Sequence, residues 1–196
     1  MRPDDDAQDE LPDDGPLLDP AALPETHLDG LGERFELAMD VVRRGDVDQA
    51  AELLRGILKT EPRLAEPRLE LARILLETDQ LEEAATQAEE AARILESGGQ
   101  WIDTLPEQVV SSLAWDLHGE ALRRQADRDE VVFGDPEAWR TLVEQSRASF
   151  AKAAALDPEN AHAHWWAGGT DAELLPPGAE DEDDDQDILD TVIPEA

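Results

Sequence analysis

Cysteine is absent from the 196 residues, which excludes disulfides, thiolate metal sites and a cysteine nucleophile. Tyrosine is also absent, and Phe and Trp together make up only 4% of the chain, so any core must be built mainly from Leu, Ile, Val and Ala. Lysine occurs only at Lys59 and Lys152, and the 16 basic residues face 49 acidic ones, for a formal net charge of −33. Such a surface repels phosphate backbones and anionic bilayers, so nucleic acid and membrane are not expected partners, and a basic protein is the natural one. No stretch has the length and apolarity of a membrane span, and the opening "MRPDDDAQDE" has no apolar core for export, so the expected compartment is cytoplasmic. A Gly-rich phosphate loop and a Gly-x-Ser-x-Gly turn are likewise missing. With nothing to fix two carboxylates at a working separation, no catalytic residue, cofactor, small-molecule substrate or metal is expected.

The acidity is concentrated at the two ends. Residues 1–30 hold ten acidic side chains against one Arg, and residues 169–196 hold eleven and no base. Both segments also carry scattered proline and cannot bury enough apolar surface to offset ordering entropy, so disordered acidic tails are expected at 1–30 and 169–196, around a domain spanning 31–168. The second tail differs from a plain solvating run. After "DEDDDQD" come Ile188, Leu189, Val192 and Ile193, whose i, i+1, i+4, i+5 spacing would gather them on one side of a short helix, as in a docking motif.

Within the central segment, "GDVDQA" at 45–50 returns in altered form as "DQLEEA" at 79–84, a period of 34 residues. That period belongs to stacked helical hairpins. Around the first turn, apolar residues recur at helical spacing on each side: Leu37, Ala38, Val41 and Val42 before it, and Ala50, Ala51, Leu54 and Ile57 after it. Small residues at Ala38 and Ala50 permit close helix contact, and Pro62 ends the second helix.

The pattern resembles the tetratricopeptide repeat. In the first unit Leu37, Ala38, Val41, Ala50, Leu54, Ile57 and Pro62 take the signature positions, and in the second Leu71, Ala72, Leu75, Ala84, Ala88 and Ala91 do so, with Glu96 in place of the closing proline. A third unit carries Trp115, Gly119 and Leu122, then Phe150, Ala153 and Pro158, and is longer by about 15 residues, an insertion placed near 126–137. The helix after Pro158 reads as a cap. The resemblance implies an all-α, right-handed helical-hairpin solenoid of about three repeats plus a capping helix, with an extended groove.

Placing the family's groove-facing positions on this chain gives Phe35, Met39, Val42 and Arg43 in the first repeat. The second contributes Leu69, Arg73, Leu76 and Glu77, and the third Asp116, Glu120, Arg123 and Arg124. The expectation is that Phe35, Met39, Leu69 and Leu76 offer apolar contact and the four arginines recognise carboxylates on an extended or helical peptide. The competing reading makes these arginines solvated partners of neighbouring glutamates. The resemblance implies a non-enzymatic adaptor that binds a partner segment in the groove. The alternative is a small acidic chaperone that shields a basic or aggregation-prone client. An adaptor recognises a short segment, whereas such a chaperone needs its tails and weakens steeply with salt. A further reading makes Val131, Val132 and Phe133 anchors of a recognition loop, against their burial on the hairpin.

Overall fold

The computed structural model describes residues 25–168, all of whose regular structure is helical. Of the expected disordered tails at 1–30 and 169–196, residues 1–24 and 169–196, with the apolar motif at 188–193, lie outside the described residues, whereas residues 25–30 are helical. The helices are α1 (Glu25–Arg43), α2 (Val47–Thr60), α3 (Ala65–Glu77), α4 (Leu81–Glu96), α5 (Glu107–Ala126), α6 (Asp129–Val132), α7 (Pro136–Leu156) and α8 (Ala161–Ala167). They pair as hairpins α1–α2, α3–α4 and α5–α7, and α8 packs on the last. The first helix begins at Glu25, six residues before the domain start read from the sequence.

The repeated turn has one backbone shape and two chemistries. In the first, Gly45 sits at φ +83°, the left-handed region that glycine enters without penalty, and its N–H returns to the Val42 carbonyl at 2.9 Å. Asp46 then caps α2 by accepting from the Gln49 N–H at 3.2 Å. Thirty-four residues on, Asp79 holds the same left-handed position at φ +60°, and Gln80 takes the cap position of α4 with no side-chain hydrogen bond to the helix. Gln80→Asp should therefore gain about 1 kcal/mol, read as a rise of about 2–4 °C in Tm; no change would mean that water already satisfies that helix end.

Proline and glycine close the second helices. Glu61, forced extended by Pro62, ends α2, and α4 ends where Gly98 at φ +79° lets the Gly99 N–H return to the Ile94 carbonyl at 3.0 Å. Two continuous cores result. One joins Leu31, Phe35, Val41, Leu54, Ile57, Leu71 and Leu75 to Leu122 of α5, and the other joins Leu95, Val110 and Trp115 to Phe150 and Ala163. Alanines at 38, 50, 88, 91, 114 and 153 are fully buried, which is what lets the helices approach closely with so few aromatics. Leu37 corrects the sequence reading. It is 47% exposed, because α1 turns Leu31, Phe35 and Ala38 inward and position 37 lies about 100° away from Ala38 around the helix.

The extra length of the third unit is shared between turn and helices. Residues 127–135, including α6, replace the three-residue turns at 44–46 and 78–80, and α5 and α7 run to 20 and 21 residues. Val131 and Val132 are half-buried while Phe133 is 74% exposed, so the three do not share one environment. Arg128 ties this turn back to the second hairpin through Glu82 at 2.7 Å and the Asp79 carbonyl at 3.2 Å. Between α5 and α7, Ser146 Oγ donates to the Gly119 carbonyl at 2.8 Å, and a Cβ at Gly119 would meet the Phe150 ring at 3.0 Å. Glycine is what allows the two helices to lie this close.

Candidate functional site

The expected groove positions on α1, α3 and α5 are partly covered. Phe35 is 8% exposed, and Met39, Val42 and Leu76 are half-buried against the first core, as Leu69 is against the second. What covers Phe35 is Trp101, from the α4–α5 loop, packed edge-on at 5.8 Å between ring centroids. Trp101 thus precedes the third unit in the chain but packs against the first repeat. Its position is fixed by Glu66 at the start of α3, whose Oε1 accepts from the N–H groups of Trp101 and Ile102, both at 2.8 Å. Glu66 is 9% exposed and its Oε2 is buried without a hydrogen-bond partner, and burial raises its pKa although backbone N–H groups pull the other way. Beside this contact lies a cleft with Phe35, Trp101 and Ile102 as its apolar wall and Glu33, Glu36 and Asp103 at its rim.

All four groove arginines are engaged within the chain. Arg43 pairs with Asp40. Arg73 donates through Nε and Nη2 to Glu70 at 3.0 and 2.9 Å and through Nη1 to Glu77 at 2.6 Å. Arg123 repeats that arrangement, with Glu120 gripped bidentately at 2.8 Å and Asp127 at 2.6 Å. In both cases the carboxylates stand three residues before and four after the arginine, so each helix displays two acids closed around one guanidinium. Burial opposes the charge on Arg73, but Glu70 and Glu77 outweigh it and its pKa is raised; at Arg123 the hydrogen bond that it donates to Glu120 leads and the pKa is raised too. Arg124 reaches across to the Leu76 carbonyl at 2.8 Å and Asp79 at 3.4 Å. The two triads are therefore fixed groups of net negative charge, with Glu77 and Asp127 their more exposed members at 52% and 60%.

The third hairpin adds a feature that sequence reasoning missed. A cleft of about 380 Å³ opens between α5, α7 and α8, walled by Trp139, Val143, Phe150 and Trp166, with Arg123 and Arg147 at its edge. Trp166 stacks on Phe150 at 6.2 Å and carries the Arg123 guanidinium 4.5 Å above its ring, while its neighbour Trp165 is 77% exposed. His162 bonds Asp116 at 2.9 Å, which ties α8 to α5, and accepts from Trp166 Nε1 at 3.1 Å within α8. Burial lowers the pKa of His118, and its Nδ1 bonds Ser149 Oγ at 2.8 Å. Among the described residues no group of three or more His, Cys, Asp or Glu could hold a metal ion, and no helix is long and apolar enough to cross a membrane.

Residues 42–96, from the end of α1 through α4, match the family model of the tetratricopeptide repeat. No curated protein matches the chain. Repeats of this family generally mediate contacts between proteins; of the expected groove positions, Val42, Arg43, Leu69, Arg73, Leu76 and Glu77 lie within the matched span and the others outside it.

Proposed function

We propose, for a chain that carries tetratricopeptide repeats, that it is a non-enzymatic adaptor holding a basic segment of a partner protein along the faces of α1, α3 and α5. The observation that carries this reading is the pair of equivalent triads, Glu70–Arg73–Glu77 and Glu120–Arg123–Asp127. With their forks already filled by carboxylates, Arg73 and Arg123 act as struts that hold acids in place and leave little donor capacity for a ligand carboxylate. A Lys or Arg of the partner would meet Glu77 and Asp127 already oriented, and the acidic rim of Glu33, Glu36 and Asp103 extends the same sign to the first repeat.

The test is selection of random dodecapeptides on the full-length chain and on a Glu77→Lys/Asp127→Lys variant. Enriched peptides should carry two or more basic residues, and should lose tenfold or more in affinity both to the variant and between 50 and 500 mM salt. Enrichment of neutral or acidic peptides, or equal binding to the variant, would rule out a groove that reads positive charge.

A further inference from the structure

Helix α8 occupies the place of the first helix of a fourth hairpin, yet it has only 7 residues against 19, 13 and 20 in α1, α3 and α5. It is pinned at its start, where Asn160 Nδ2 bonds Ser112 Oγ at 3.1 Å, and by His162 on Asp116. A helix this short covers only part of the α5–α7 face. What it leaves open is the cleft of about 380 Å³ walled by Trp139, Val143, Phe150 and Trp166. Trp139 and Phe150 are buried beneath it, and the half-buried Val143 and Trp166 supply the apolar surface that gains from being covered. Arg147 edges the cleft, and Arg140 lies exposed one turn before Val143 on the same side of α7.

The chain itself continues from this point. Trp166 is a wall of the cleft, Gly168 closes α8, and the 28 residues that follow include eleven acidic side chains, no basic one, and the apolar set Ile188, Leu189, Val192 and Ile193. We infer that residues 188–193 seat their apolar side chains in this cleft in cis, with the acidic run at 180–187 laid along Arg140 and Arg147. The tether fits. The 19 residues between Gly168 and Ile188 give a tether whose root-mean-square span is about 25 Å, which keeps the segment near the cleft at an effective concentration on the order of millimolar. Weak intrinsic binding is then enough for occupancy. The overall negative charge of the chain opposes the contact only weakly, because charges beyond about 8 Å are screened at physiological salt and Asp127, the acid at the cleft edge, is already bonded to Arg123. This contact stands independently of what the groove binds.

The absence of cysteine makes the test direct. Val143→Cys/Val192→Cys in the full-length chain should form its intramolecular disulfide at least tenfold faster than Gly56→Cys/Val192→Cys, which pairs the same tail position with an exposed site on α2. Adding Ile188→Asp and Ile193→Asp should bring the first rate down to the second, with the helical circular dichroism unchanged. Equal rates for the two pairs, or a fast rate that survives the aspartates, would overturn the inference.

Discussion

Phe150→Ala should lower the unfolding free energy by about 3–5 kcal/mol, the usual range for deleting a buried phenyl ring. Phe150 is 1% exposed and sits where three helices meet. Its ring occupies the space that Gly119 leaves vacant on α5, stacks on Trp166 and meets His162 edge-on at 5.4 Å. Neither neighbour can collapse into the space, because Gly119 has no side chain and α8 is held by its own bonds to Ser112 and Asp116. Urea unfolding monitored by circular dichroism measures the loss, and Phe133→Ala serves as the comparison, since that ring is 74% exposed and should change stability by less than about 0.5 kcal/mol. A loss of under 1 kcal/mol at Phe150 would mean that the third hairpin and its cap do not depend on this junction.

Glu66→Ala should cost about 2–3 kcal/mol and release Trp101 from Phe35. The substitution leaves the part-buried N–H groups of Trp101 and Ile102 without their common acceptor, and a donor left unpaired away from water carries a penalty of roughly 1–3 kcal/mol. Hydrogen exchange at those two amides and the chemical shift of the Trp101 indole report the release separately from global stability. The pH dependence has a definite sign. Burial raises the Glu66 pKa above its ordinary value of 4.5, so the folded chain holds this proton more tightly than the unfolded one. The contribution of Glu66 to stability is therefore most favourable below about pH 4.5 and declines as pH rises through the raised folded value. Glu66→Gln removes that titration, so the wild type should become less stable relative to Glu66→Gln as pH rises across that interval. A difference that stays flat would show that Glu66 titrates as it does in the unfolded chain.

The hairpin repeat was legible because it rests on local chemistry. The 34-residue period, Gly45 at the turn, Pro62 after α2 and the small residues at Ala38, Ala50 and Gly119 each act within a helix or between neighbouring ones. Arg73 lies on α3 and Arg123 on α5, but their partners follow from rotamers that place Glu70 and Glu77, or Glu120 and Asp127, around one guanidinium. The i−3 and i+4 spacing was present in the sequence and could have indicated it. Trp101 was not readable, since its packing on Phe35 depends on a loop that folds back 66 residues and is fixed by a single buried carboxylate. The cleft at Trp139 and Trp166 depends on where α8 stops relative to α7, a relation between helices that no periodicity encodes.

Groove binding is tested most directly by hydrogen exchange of the full-length chain with and without the most strongly enriched basic peptide. The expected result is slowed exchange confined to α1, α3 and α5, centred on the turns that carry Glu77 and Asp127. Protection confined to α6–α8, or none on α3 and α5 at saturating peptide, would contradict a partner held in the groove.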